Sequence, residues 1–251
     1  MTSILITGAS SGIGRAMALD YAAPGVFLAL TGRASDRLQQ VAEQCRAKGA
    51  EVEAIVIDVA SRDVMEGFVV ELDARRPLDL VIANAGISGG TAGGGEDAEQ
   101  TRAIFAVNLD GVLNTVLPVL PAMRQRRRGQ IALVSSLAAY RGWPGAPAYC
   151  ASKAAVKTWG EALRGWLAPE GIRVSVICPG FVESRITDAN DFRMPLLMPA
   201  DRAARIIRRG LEKNRARIAF PWPTAFAAWS AGAMPAALSD IIGRMLPKKG
   251  G

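Results

Sequence analysis

The stretch Thr7-Gly-Ala-Ser-Ser-Gly-Ile-Gly14 (TGASSGIG) decides the fold. It follows a short apolar run, Ser3–Thr7, that reads as a strand. It opens an amphipathic segment, Gly12–Ala22, that reads as a helix. Gly8 permits a tight turn, Gly12 lets the backbone approach a pyrophosphate, and Gly14 lets the helix pack close on the strand. A helix N-terminus offers N–H groups and a positive dipole end, which makes Gly8, Ser10, Ser11, Gly12, Ile13 and Gly14 candidate phosphate contacts. An ordinary Gly/Ser turn needs neither the strand before it nor the helix after it.

The same alternation continues outward. Val26–Thr31, Val52–Ile57, Leu78–Ala83, Gln130–Ser135, Ile172–Cys178 and Ala216–Phe220 are short, nearly continuous apolar runs, as strands buried on both faces of a parallel sheet are. Between them, helices are expected at Asp36–Lys48, Val64–Ala74, Ala98–Arg126, Ala148–Ala168 and Ala200–Leu211. This βαβ order predicts a single Rossmann-like, doubly wound α/β domain: a parallel sheet of about seven strands with helices on both faces. Residues 1–215 form the catalytic and dinucleotide-binding part in this reading, and residues 216–251 the last strand and an apolar C-terminal extension.

Composition narrows the function. Half of the 251 residues are hydrophobic, which excludes a disordered chain. Cys45, Cys150 and Cys178 are odd in number and widely spaced, so neither a disulfide framework nor a metal site is expected. A reducing, cytoplasmic setting follows, and the N-terminus carries no signal-peptide pattern. The formal charge of +7 gathers in two knots, Arg124 with Arg126–Arg128, and Arg205–Arg217. They read as solvated helix faces, because aromatics for stacking nucleic acid are not interleaved with them. The positive field suits an anionic cofactor better. The chain has no histidine, so any proton transfer needs another side chain.

Two further features fit a dinucleotide. Asp58, with Val59 after it, closes the third strand where an acceptor meets an adenine amino group. Asn84-Ala85-Gly86 closes the fourth, where a tight turn runs beside a nucleotide.

Taken in order, TGASSGIG at 7–14, Asp58-Val59, NAG at 84–86, Asn108, Ser135-Ser136, YCASK at 149–153 and Pro179-Gly180 resemble the short-chain dehydrogenase/reductase family. The resemblance covers residues 3 to about 185 and matches spacing as well as order. It implies a nicotinamide cofactor and a catalytic set of Asn108, Ser136, Tyr149 and Lys153. Asn108 matches a proton-relay asparagine, and Lys153 would also hold the nicotinamide ribose. Pro179, Gly180, Val182 and Ser184 match the segment that meets the nicotinamide, with serine standing where many members have threonine. Cys150 and Ser152, inside the YCASK run, read as packing or helix-start residues.

The chemistry fits these residue types. A free tyrosine titrates at about 10, and a nearby cation favours the phenolate. Positions i and i+4 share a helix face, so Lys153 can supply that cation to Tyr149. Ser136 would hydrogen-bond the substrate oxygen and stabilise developing charge. The family's acidic NAD-selecting position holds Gly32, followed by Arg33, which can pair with a 2′-phosphate. The cofactor expected is therefore NADP, with NAD the alternative. The substrate expected is a small hydrophobic ketone, aldehyde or alcohol, beneath a segment Phe181–Pro199 that carries Met194, Leu196, Leu197 and Met198, helped by Trp143 and Pro144. A dinucleotide sensor without catalysis is the rival reading.

Ile218–Ser239 has no charged residue. It can pack on its own domain or a second subunit, lie on a membrane surface, or span one, although Pro221, Pro223 and Pro235 oppose a spanning helix. A homodimer or homotetramer is expected, with peripheral membrane contact through the tail as the alternative use.

Overall fold

Successive side chains along a strand point to opposite sheet faces. In the first strand Ile4 and Ile6 therefore enter one core and Leu5 the other, all three fully buried. Each such side chain contributes about 1.5–3 kcal/mol by leaving water. The computed structural model describes residues 2–88, 96–188 and 194–235. Strands β1 (Thr2–Ile6), β2 (Val26–Gly32), β3 (Glu51–Val56), β4 (Leu80–Ala83), β5 (Gly129–Val134), β6 (Ile172–Pro179) and β7 (Arg217–Phe220) form one sheet in the order β3-β2-β1-β4-β5-β6-β7. Every neighbouring pair is parallel. Chain order reverses between β1 and β4, which opens a crevice at the carboxyl ends of those strands.

Helices α1 (Gly12–Tyr21), α2 (Ser35–Ala47) and α9 (Ala200–Glu212) cover the Ile4 face. Helix α3 (Arg62–Arg75), the run from 98 to 125 and helix α7 (Pro147–Leu167) cover the Leu5 face. The expected doubly wound α/β domain is thus the fold observed.

Three details differ from the sequence expectation. The helix expected over 98–126 is broken into α4 (Ala98–Phe105), a π-turn (Ala106–Asp110), α5 (Gly111–Val116), a 3-10 turn (Leu117–Val119) and α6 (Leu120–Gln125). Pro118 and Pro121 lack the N–H groups that a continuous helix requires. This run meets the length and composition of a membrane span, but 56% of its apolar window is buried, as in a core helix.

Strand β4 starts at Leu80 rather than Leu78, because side chains occupy the backbone of Leu78. Asp73 accepts its N–H and Arg126 donates to its carbonyl. Arg126 is also bidentate on Asp73, Arg124 pairs with Glu170 and Arg128 with Asp79, so three members of the first basic knot are held in ion pairs, Arg126 the most buried of them. Lastly, Trp222–Ala233 forms a helix, labelled α10 below (α8 is the short turn Arg185–Asp188). Pro221 and Pro223 sit at its N-cap and second helical position, where proline costs no hydrogen bond.

Candidate active site

The glycine-rich turn folds as a braced ring around Thr7. Gly8 and Gly12 have φ of +66° and +53°, values that glycine reaches without strain. The Thr7 hydroxyl accepts the N–H groups of Asn84 (3.0 Å) and Ala85 (3.1 Å). The Asn84 amide donates back to the carbonyls of Thr7 (2.9 Å) and Gly8 (3.3 Å). A methyl group on Gly14 would lie 2.4 Å from the Gly8 carbonyl oxygen and 2.5 Å from Asn84 Nδ2. The β1 and β4 ends are therefore locked together across the crevice, and Asn84 acts through its brace on the turn. Ser11 places no side-chain cap on the first turn of α1, and Ser10, Ser11, Gly12 and Ile13 are partly exposed there. This cradle fits the phosphates of a dinucleotide.

The adenosine end is defined by β2 and β3. A methyl group at Gly32 would stand 3.2 Å from Ser10 Oγ, so Ser10 fills the space beside that strand end. Arg33 lies 3.8 Å from Asp58, with both side chains well exposed. One Asp58 oxygen accepts the Ala60 N–H. Val59 is buried, its carbonyl held by Asn114.

The other side of the crevice gathers the remaining candidates. Helix α7 carries Tyr149 in its first turn and Lys153 one turn on. The Lys153 ammonium lies 5.9 Å from the centre of the Tyr149 ring. Lys153 is almost wholly buried and donates to the Val134 carbonyl (3.0 Å). Burial lowers its pKa to about 8. Burial also raises the Tyr149 phenol, while a hydrogen bond from Ser136 opposes that rise. Ser136 additionally accepts the Ala138 N–H (3.1 Å), which fixes its rotamer.

Asn108 sits in the π-turn, fully buried. Its side chain bridges both polar groups of Ile87 and donates to Ser152 Oγ, which donates in turn to the Tyr149 carbonyl. Any Cβ at Gly86 would come 3.2 Å from both Asn108 Oδ1 and Lys153 Nζ, so a side chain there would crowd both groups.

The downstream segment closes against the turn. Gly180 donates to the Phe220 carbonyl, and Pro179 is the last residue of β6. Val182 is buried and bridges to Met198. Ser184 approaches Gly12 so closely that a methyl group on Gly12 would lie 2.9 Å from its Cβ. The glycine turn, the 84–86 turn and the 180–184 segment thus meet around the β1 and β4 ends, with Asn108, Lys153 and Gly86 in close approach.

Two cavities flank it. One of about 540 Å³ is lined by Trp143, Pro144, Tyr140, Cys150, Ala151 and neighbours. A second of about 280 Å³ is lined by Leu196, Leu197, Met198, Arg202, Trp222 and the prolines beside it. Trp143 and Pro144 therefore line a different hollow from Leu196–Met198. The middle of the expected lid, 189–193, lies outside the described residues, as does most of the glycine loop at 88–95.

The chain matches the short chain dehydrogenase family over residues 2–193. It belongs to the short-chain dehydrogenase/reductase family. It is 41% identical over 243 residues to an uncharacterized oxidoreductase of Myxococcus xanthus, covering 96% of each chain. An uncharacterized oxidoreductase of Mycobacterium tuberculosis is 35% identical over 223 residues, 87% of this chain and 88% of the relative. Among solved structures, a short-chain dehydrogenase from Sphingobium yanoikuyae in complex with NADPH superposes with a TM-score of 0.82 at 26% identity, covering 96% and 95% of the two chains. One from Mycobacterium paratuberculosis bound to NAD gives 0.74 at 25% identity, covering 87% and 94%. This short-chain dehydrogenase/reductase is accordingly a nicotinamide-dependent oxidoreductase.

The contacts of three crevice residues carry no signal in the sequence. Thr7 reads as the end of the first strand and the start of the nucleotide loop, with no partner signalled for its hydroxyl, and Ser152 as a packing or helix-start residue. Glu96 belongs to no motif, yet its carboxylate accepts the Ala148 and Tyr149 N–H groups. Each acts across more than forty residues of chain, so no local spacing signals it.

Proposed function

We propose that this chain interconverts a carbonyl and an alcohol on a small hydrophobic molecule, with Tyr149 as general acid and base and NADP as the preferred cofactor. The observation that carries the reading is the cluster of Tyr149, the Ser136 hydroxyl and a buried Lys153 ammonium at the mouth of a dinucleotide cradle. A bound nicotinamide dinucleotide, held by the 8–14 turn, Asp58, Val59, the 84–86 turn and the 179–184 segment, supplies or takes the hydride.

The chain's own residues manage the proton. Burial keeps the Tyr149 phenol protonated at neutral pH, so its Oη can donate to a carbonyl oxygen. As the proton leaves, the Lys153 cation stabilises the phenolate. The Ser136 hydroxyl stabilises charge on the substrate oxygen. Asn108 fixes the Ile87 segment and, through Ser152, the first turn of α7. In the oxidative direction the same phenolate takes the alcohol proton. No histidine is needed.

The NADP preference rests on Gly32, Ser10 and Arg33. Ser10 occupies the space an acidic side chain would need, and the Arg33 guanidinium stands exposed beside Asp58 to meet a 2′-phosphate. The Leu196, Leu197 and Met198 side chains lining the second hollow support a hydrophobic substrate. Three buried cysteines outside any disulfide suit a reducing compartment. Tyr149→Phe tests the central claim. It should lower kcat by about 10³-fold or more while dinucleotide Kd stays within about threefold; wild-type turnover in that variant removes Tyr149 from the chemistry.

A further inference from the structure

Helix α7 begins without a cap of its own. Ala146 occupies the N-cap and has no side-chain acceptor, and Pro147 follows it. The next two residues, Ala148 and Tyr149, carry N–H groups that a helix leaves unpaired in its first turn. Both are taken by one remote carboxylate. Glu96 Oε2 accepts from Ala148, and Glu96 Oε1 accepts from Tyr149 at 3.3 Å. Glu96 directly precedes the N-cap of α4, where Asp97 accepts the Gln100 N–H at 2.7 Å. Helix α4 packs directly on α7.

From this we infer that Glu96 is a positioning residue for Tyr149: it supplies from another element the cap that Ala146 lacks, and so sets the first turn that carries the phenol. This rests on the reading of Tyr149 as the proton donor. A negative charge at a helix N-terminus also complements the dipole there. The turn matters because Tyr149 lies within it, whereas Lys153 lies one turn further on and is anchored separately by Val134. Loss of Glu96 therefore loosens one partner of the pair and spares the other.

The test is a rescue. Glu96→Ala should lower kcat by about 10- to 100-fold at a temperature well below its Tm, with dinucleotide Kd within about threefold of wild type. Glu96→Gln, which keeps one acceptor oxygen, should fall between. Adding Ala146→Ser to Glu96→Ala places an acceptor at the N-cap and should restore most of the lost kcat. An unchanged kcat in Glu96→Ala, with or without a lower Tm, overturns the inference and leaves Glu96 a stabilising contact. Lost kcat that Ala146→Ser does not restore also overturns it and assigns Glu96 to substrate contact. Tyr149→Phe run alongside keeps the two claims apart: if it is active, the reading of Tyr149 fails; if it is inactive while Glu96→Ala is not, only the role of Glu96 fails.

Discussion

The dinucleotide side of the crevice and the C-terminal helix α10 are built in opposite ways. Around Thr7, four hydrogen bonds tie the turn to the end of β4, and a side chain added at Gly8, Gly12 or Gly14 would collide. Along α10, small residues do the packing: Ala225 and Ala228 meet Leu137, Val176 and Cys178. The large residues Trp222, Phe226 and Trp229 face outward, 79%, 63% and 55% exposed. They recur at i, i+4 and i+7, one row of a helix. A phosphate-binding turn tolerates one geometry, because it must aim backbone N–H groups. A helix resting on alanines needs only shallow contact, and leaves its aromatic row without a role in the core.

Substitutions can sharpen that contrast. After Tyr149→Phe, the largest effect is expected across the crevice from the Thr7 turn at Lys153→Met, which should lower kcat by roughly 10²- to 10³-fold. Burial holds Lys153 at about 8, so it is a cation below that pH and neutral above it. Wild-type carbonyl reduction should therefore be level at lower pH and decline as pH rises through about 8, as the cation that stabilises the phenolate is lost. Lys153→Met should lack this limb. A variant that keeps it would place the titration on another group.

Next comes Gly14→Ala. Its methyl group meets the Gly8 carbonyl and the Asn84 amide, so the brace must open. Destabilisation of about 1–3 kcal/mol is expected, together with a dinucleotide Kd weakened by more than tenfold; calorimetry and titration would read both. An unchanged Tm would mean that the ring around Thr7 yields easily.

Smaller again is Arg33→Ala. NADPH affinity should fall by about tenfold while NADH affinity stays put. Equal wild-type affinities for the two cofactors would reject the preference outright. Least is expected on the aromatic row: Trp229→Ser and Phe226→Ser should shift stability by less than about 0.5 kcal/mol and leave kcat alone. A large loss of Tm in either variant would show that the row is packed in the native protein and would erase the contrast.

Much of the rigid side was legible in the sequence because it depends on local spacing. Glycines between a strand and a helix have one common use, and Tyr149 with Lys153 share a face by helical period alone. The break at Asn108 was not legible. Prolines at 118 and 121 mark the later 3-10 turn, but no residue type specifies the π-turn at 106–110; it forms where Asn108 can reach Ile87 and Ser152. The substrate side was only partly legible. An apolar composition over 181–199 signals a hollow, yet Trp143 and Leu196 proved to line separate ones.

By itself the sequence determined the doubly wound α/β fold and the position of the dinucleotide turn, from short apolar runs alternating with helical segments and from where glycine is required, while its resemblance to the short-chain dehydrogenase/reductase family picked out the Tyr149–Lys153 pair. Only the tertiary structure decided what holds them in register. The Thr7–Asn84 brace, the Gly86 gap between Asn108 and Lys153, and the Glu96 carboxylate at the start of α7 join residues far apart in the chain. Such partners are chosen by the packing of whole elements, and a side chain's identity does not record which distant N–H it will meet.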